Sequence, residues 1–313
     1  KVSLLGAVSV LITAVALVLL AVWQSGQYHA LAQREVDKLI NADLDHITQG
    51  VYNLVRSEND AIQQQIDYNL KGARHILSEA GGISLSRETE PWTAFNQFTG
   101  KPSRIQLPRM LVGGRWLGRI TDPAAKTIVV DKMTRLVGET ATIFQRMNDK
   151  GDMLRVATTV RTVEGKRAIG TFIPAVNPDG APNPVISAIL QGKTYHGRAY
   201  VVNAWYLTAY EPIWEKTGEL VGMLYVGVKQ ESVESLLRQA ILQTNVGKTG
   251  YVFVLGGKGA QRGRYIISQQ SKRDGEDIWE ARDDDGRPVI QELIAKATRL
   301  KQGELATERY RWQ

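Results

Sequence analysis

Hydrophobic residues fall along this chain in three successive regimes. From Val2 to Trp23 the sequence is apolar on every side, and no charge intervenes between Lys1 and Arg34. A bilayer-spanning helix needs about 20 such residues. A cleaved signal segment has a shorter apolar run ending in small residues, whereas this one runs on to Val22 and Trp23. The pattern predicts an uncleaved transmembrane helix over 1–26, with Trp23 at headgroup depth. Beyond it the pattern becomes amphipathic. Val36, Ile40, Leu44, Ile47, Val51, Leu54 and Val55 recur at mostly three- and four-residue steps, and Ile62, Ile66, Leu70, Ala73, Ile76 and Leu77 extend the stripe. No proline appears before Pro91, and Gly81–Gly82 is a natural stop. A stalk helix over 27–80 would be a rod of roughly 75 Å, too long to be covered by one small domain. Two helices broken near Ser57–Asn59, where the stripe lapses, are the alternative.

The third regime is strand-like and repeated. Gly138-Glu-Thr-Ala-Thr-Ile-Phe144 aligns with Gly247-Lys-Thr-Gly-Tyr-Val-Phe253 at an offset of 109, Lys150–Gly151 with Lys258–Gly259 at 108, and Arg155-Val-Ala-Thr-Thr with Arg264-Tyr-Ile-Ile-Ser at 109. Each copy reads strand, glycine-containing turn, strand, which predicts a tandem duplication. In the first copy Arg167–Ile173, Gly197–Val202, Tyr206–Ile213 and Leu220–Val228 read as strands, Pro184–Leu190 as a helical turn, and Glu215–Gly218 as a tight turn. An antiparallel sheet with helices grouped on one side is an α+β module. In the second copy the counterparts of the closing strands are missing, so the module is expected to continue beyond Gln313. The expected organisation is a transmembrane helix (1–26), a stalk helix (27–80), a membrane-distal module (81–230), a connecting helix (231–246) and an incomplete membrane-proximal module (247–313).

Composition narrows the chemistry. The 313 residues are 43% apolar and 23% charged, close to a folded average. Cysteine is absent, which excludes disulfides, thiolate metal sites and a cysteine nucleophile. The net charge of +7 is spread without basic blocks, which argues against a nucleic-acid arm. Gly192-Lys-Thr and Gly247-Lys-Thr end like a phosphate loop, but Ser187 and Leu242 stand where its first glycine is required. Asp283-Asp-Asp-Gly286 with Glu292 imitates a calcium loop, yet Ala281 occupies the first ligand position; a turn leading into a helix at Pro288–Thr298 is the better reading. Three of the four histidines lie on the stalk, too far apart to converge on one ion. No catalytic residue, metal site or cofactor is expected, and the chain reads as a binding protein rather than an enzyme.

A ligand would sit where aromatic residues gather. Tyr195, Tyr200, Trp205, Tyr206, Tyr210, Trp214 and Tyr225 fall between 195 and 225, and tyrosine and tryptophan combine flat apolar area with a polar tip. Alternation places Tyr206, Thr208 and Tyr210 on one strand face and Trp205, Leu207 and Ala209 on the other; the first set is the expected pocket wall. Arg198 lies among the aromatics, and Arg146, Arg155, Arg161 and Arg167 lie on or beside the preceding strands. A guanidinium can hold a carboxylate through two parallel bonds. The candidate ligand residues are Tyr195, Arg198, Tyr206, Thr208, Tyr210, Arg146 and Arg161.

Several of these segments resemble the Cache superfamily of PAS-like extracytoplasmic sensors, in particular the fusion of a type-3 with a type-2 Cache module found on bacterial methyl-accepting chemotaxis receptors. The resemblance rests on Ala141-Thr-Ile-Phe-Gln145, Arg167-Ala-Ile-Gly-Thr171, Tyr195-His-Gly-Arg-Ala199, Thr208-Ala-Tyr-Glu-Pro-Ile213, Gly222-Met-Leu-Tyr-Val-Gly-Val228, Gly247-Lys-Thr-Gly-Tyr-Val-Phe253 and Lys272-Arg-Asp-Gly275. It implies a homodimeric sensor in the inner membrane, its modules in the periplasm. The ligand would be a small molecule such as an organic acid or amino acid, taken by the distal module near Tyr195, Arg198 and Thr208. Output would pass through a cytoplasmic part to a chemotaxis kinase complex; a sensor histidine kinase or diguanylate cyclase could carry the same ectodomain. An anchored periplasmic enzyme and an adhesion module are the readings from other classes.

Overall fold

In the computed structural model, which describes residues 2–137 and 140–311 and leaves out the side chains of 2–19, 21, 30 and 236, the stripe of apolar residues forms one helix, α1, Val2–Glu79. It runs through Ser57–Asn59 without a break. Its end is built as the glycine pair requires: Gly82 N–H donates to the Leu77 carbonyl and Gly81 N–H to that of Ser78, with Gly81 at φ +100°. The expected transmembrane segment at 1–26 lies in large part outside the described side chains. Among the described residues no helix is long and apolar enough to cross a membrane.

The chain divides into two compact units, residues 57–238 and residues 1–56 with 239–313. The first holds strands β1 (Ile83–Asn96), β2 (Pro102–Val112) and β3 (Arg115–Trp116), then helix α2 (Val130–Val137). Strands β4 (Thr140–Arg146), β5 (Met153–Thr158) and β6 (Thr171–Ile173) follow, then α3 (Pro184–Leu190), β7 (Tyr195–Val201), β8 (Ala204–Trp214) and β9 (Leu220–Lys229). They make one nine-stranded sheet in the order β3-β2-β1-β6-β5-β4-β9-β8-β7, antiparallel throughout except where β1 meets β6. The α+β class is therefore present, with a mixed sheet. The strand expected at Arg167–Ile173 is shorter than its pattern suggests. Gly170, at φ +81°, breaks it before Thr171, and Arg167 keeps only a single bridge to Arg161.

The sheet buries both faces, and this places the site. On one face Ile143, Leu154, Val156, Ala209, Leu224 and Val226 pack with Ile66, Leu70, Ala73 and Ile76 of α1. On the other, Phe144, Met153, Tyr206, Tyr210, Met223 and Tyr225 pack beneath Val185, Ile186 and Ile189 of α3. Along β8 alternation reads correctly for Tyr206 and Tyr210, which share one cluster, and for Leu207 and Ala209, which share the other. Trp205, expected on the face of Leu207 and Ala209, instead reaches a cavity that Tyr210 lines. Gly222 allows β4 and β9 to close, because a Cβ there would stand 2.0 Å from the Phe144 carbonyl oxygen. Backbone cannot retreat as a side chain can, so Gly222→Ala is expected to cost about 1–3 kcal/mol. Urea denaturation measures the loss, and an unchanged midpoint would contradict the packing.

The second unit contains β10 (Asn245–Val246) paired with β11 (Gly250–Tyr251), and β12 (Val254–Leu255) paired with β13 (Tyr265–Ile267). Helix α4 (Gln230–Leu242) precedes these strands, and α5 (Val289–Ala297) follows them on the segment expected to be helical. The antiparallel pair β12–β13 falls at the repeat position of β4–β5. Its register differs: Leu255 faces Tyr265, where the offset of 109 would set Phe253 against Arg264. Tyr265, Ile278, Val289, Ile290 and Ile294 form its core.

Candidate functional site

The site is built on the α3 face of the sheet. Asn183 starts α3 as its N-cap, its Oδ1 accepting from the Val185 and Ile186 amides, with Pro184 supplying a fixed φ at the first helical position. The Asn183 amide group donates to Asn177 Oδ1, which closes the turn at 177–183 and holds this segment over the sheet. Between it and the β7–β8 hairpin lies a cavity of about 390 Å³. Its wall is aromatic: Phe98, Tyr195, Tyr200, Trp205 and Tyr210 all reach it. Phe98 stacks on Tyr200 at 6.3 Å, Tyr200 meets Trp205 edge-on at 5.6 Å, and Tyr195 meets Tyr210 edge-on at 6.1 Å.

Polar groups are few on this wall, and two of them lack partners. Gln97 donates from its amide nitrogen to the Tyr200 carbonyl, while its Oε1 is buried with no hydrogen bond. The Tyr210 hydroxyl is likewise buried and unpartnered, and burial pushes that phenol up. Tyr195 is half-buried and donates to the Arg198 carbonyl at 3.1 Å; burial raises its phenol as well. Buried polar atoms are nearly always satisfied, so two orphans on residues of one wall are unusual. The charged side chains of the wall, Arg198 and Asp179, are both exposed, and the Arg198 guanidinium lies over Trp205 at 4.1 Å.

Of the residues expected from sequence, the cavity therefore gathers Tyr195, Arg198 and Tyr210. Tyr206 is buried in the cluster beneath α3, and Thr208 is buried with its hydroxyl donating to the Gly197 carbonyl at 2.7 Å. Arg146 lies apart, clasping the β4–β5 turn through the Asn148 and Asp149 carbonyls. Arg161 borders a different hollow, of about 320 Å³, beside Asp131 and Arg167. Gln97, Phe98 and Asn183 come from segments whose patterns carry no ligand signal, because the β1–β2 hairpin and the 177–183 turn reach the site only through tertiary folding.

One further group lies behind the wall. Arg155, on β5 between Leu154 and Val156, turns to the α3 face and is fully buried. Its Nη1 donates to Thr171 Oγ1, its guanidinium stacks 4.7 Å from the Phe144 ring, and Nε and Nη2 have no partner. Burial pushes its pKa down to about 10, opposed in part by Tyr210, Tyr225 and Tyr206. Phe144 in turn lies 6.2 Å from Tyr210, which lines the cavity. This arrangement can bind and orient a small molecule; among the described residues no cluster of three potential metal ligands occurs.

The family profile of the Cache 3/Cache 2 fusion domain matches residues 29–313. No curated protein gives a significant sequence match. Among solved structures, the sensor domain of E. coli DcuS is 14% identical over 34% of this chain and 68% of its own, with a TM-score of 0.23. The extracellular domain of mmHK1S-Z2 is 13% identical over 54% of this chain and 64% of its own, with a TM-score of 0.28. Superpositions this loose carry no weight for the site.

Proposed function

The chain belongs to the Cache 3/Cache 2 fusion domain family of extracytoplasmic sensors, and from that premise we propose that it detects a small molecule in the aromatic cavity beneath α3. The single observation that carries the reading is that cavity itself, walled by Phe98, Tyr195, Tyr200, Trp205 and Tyr210. The sensor would be the periplasmic part of an inner-membrane chemotaxis receptor, signalling as a homodimer without catalysing a reaction.

Transmission is supported by the ties between α1 and the strands that line the cavity. His196 of β7 meets Asp67 of α1 at 2.7 Å, and Glu211 of β8 meets Arg74 of α1 at 2.6 Å. A ligand that prefers one arrangement of β7 and β8 therefore also favours one position of the helix. Only the difference in affinity between two arrangements can move that equilibrium.

The test is a thermal-shift screen of the protein against organic acids, amino acids, amines and purines. A ligand stabilises by about RT ln(1 + [L]/Kd), so one class is expected to raise Tm saturably. Trp205→Ala removes one aromatic wall that is itself 45% exposed. It is expected to weaken that ligand about tenfold while leaving the Tm of the free protein within a degree or two. A ligand that binds Trp205→Ala and Tyr195→Ala as tightly as the parent would place the site elsewhere.

A further inference from the structure

Resting on that reading of the cavity, we propose that the ligand is a monocarboxylate with a flat apolar body, and that Arg155 together with Tyr210 holds its carboxylate. A guanidinium offers its donors along edges. Nε–H and one Nη2–H point the same way from one edge, spaced to meet the two oxygens of a carboxylate side by side. In Arg155 that whole edge is vacant, while the remaining nitrogen is engaged with Thr171. The Tyr210 hydroxyl is a second buried group without a partner on this face, and the Tyr210 residue lines the cavity. A cation buried without a counter-charge is among the costliest arrangements a core can hold. An anion that arrives with the ligand would relieve it.

The rest of the ligand follows from what the cavity offers. Its wall carries aromatic faces, which suit a planar body. A second carboxylate would find no buried cation there, since Arg198 is exposed and stacked on Trp205. An α-ammonium group would find no buried carboxylate, since Asp179 is exposed. The carboxylate passes the Tyr210 ring to reach Arg155, so that ring must tilt when the site fills. Arg155, not the expected Arg198, is then the anchor.

The experiment measures binding of benzoate and phenylacetate to the full chain in detergent and chloride-free buffer. Benzamide and phenylacetamide serve as neutral counterparts, and succinate, phenylalanine and chloride as the other arms. The aryl carboxylates are expected to stabilise the protein, with the amides, succinate and phenylalanine each at least about thirtyfold weaker. Arg155→Met is expected to abolish the carboxylate response. Arg155→Lys keeps the charge but not the paired edge, and is expected to weaken it at least about tenfold. If Arg155→Met does not fold, the ¹⁵Nε resonance of Arg155 in the parent protein decides, since it should shift on adding benzoate. Equal binding of acid and amide, no carboxylate response, or full retention in both Arg155 variants would overturn the anchor. Stabilisation by chloride alone, in competition with benzoate, would reassign the edge to a halide. Trp205→Ala separates the two claims: a ligand sensitive to Trp205 but indifferent to Arg155 leaves the cavity standing and removes only the anchor.

Discussion

Arg167→Ala is expected to destabilise the unit of residues 57–238 by about 3 kcal/mol, the low end of what breaking a buried ion pair costs. Arg167 is 6% exposed and spends every donor. Nε bonds the Asp122 carbonyl at 3.2 Å. Nη1 bonds Asp131 Oδ1 at 2.8 Å and the Thr158 carbonyl at 3.0 Å, and Nη2 bonds the carbonyls of Pro123 and Ala125, each at 3.1 Å. One side chain thus gathers the loop before α2, the helix itself and the end of β5. Truncation removes a donor from four carbonyls and a carboxylate at once, though Asp131 keeps the Thr127 amide and the Asp122 carbonyl that of Ala125. Asp131 keeps some contact with water, which is why the low end of the range applies. Burial alone would raise the Asp131 carboxyl, but the Thr127 amide and Arg167 outweigh it, and the net direction is down. A carboxylate depressed in the folded state contributes stability that is present above the ordinary aspartate range and lost as pH falls through the depressed value. In Arg167→Ala that acid limb should flatten. Urea denaturation from neutral pH to pH 3 measures both effects, and a loss below 1 kcal/mol at neutral pH would show the cluster to be redundant.

What the sequence made legible were features with a short-range cause. The stop of α1 follows from two glycines, α3 from the apolar turn opened by Pro184, and β8 and β9 from apolar residues between tight turns. The β1–β2 hairpin was not legible. Its first strand carries Arg87, Glu88, Glu90 and Pro91, which blur the alternation, and its register shifts between Leu85 and Thr89. The ladder of Glu88, Arg109, Glu90 and Arg119 that steadies these charges exists only once β1 and β2 pair. The site was half legible for a related reason. Alternation put Tyr206 and Tyr210 on one face, as found, but it put Trp205 on the other although Trp205 reaches the cavity, and it cannot say how far along a face an opening lies. The covering turn at 177–183 sits over Tyr195 and Tyr210 and not over Thr208. Arg155 was the harder case. In Leu154-Arg155-Val156 a charged residue between two apolar ones ordinarily faces water. That inference fails here because α3, some thirty residues later in the chain, covers the second face of the sheet.

The same burial sets up an opposition between stability and ligand binding at Arg155. Arg155→Met is expected to stabilise the ligand-free protein by about 2 kcal/mol, within the 1–4 kcal/mol gained when buried ions give way to apolar groups. For a unit of this size that corresponds to a rise in Tm of about 4–8 °C. The bond to Thr171 and the stacking on Phe144 offset part of the burial penalty, which keeps the expected gain below the top of the range. The sign with pH is fixed by the direction of the shift. A base whose folded pKa is lowered binds fewer protons folded than unfolded, so the parent gains stability as pH rises through about 10. The advantage of Arg155→Met should therefore be full at neutral pH and narrow above that value. A structural arginine would behave in the opposite way, its loss costing stability because its contacts outweigh its burial. If Arg155→Met melts more than a few degrees below the parent while an aryl carboxylate still binds it, the guanidinium is a brace of the sheet, and the vacant edge is no anchor for a ligand.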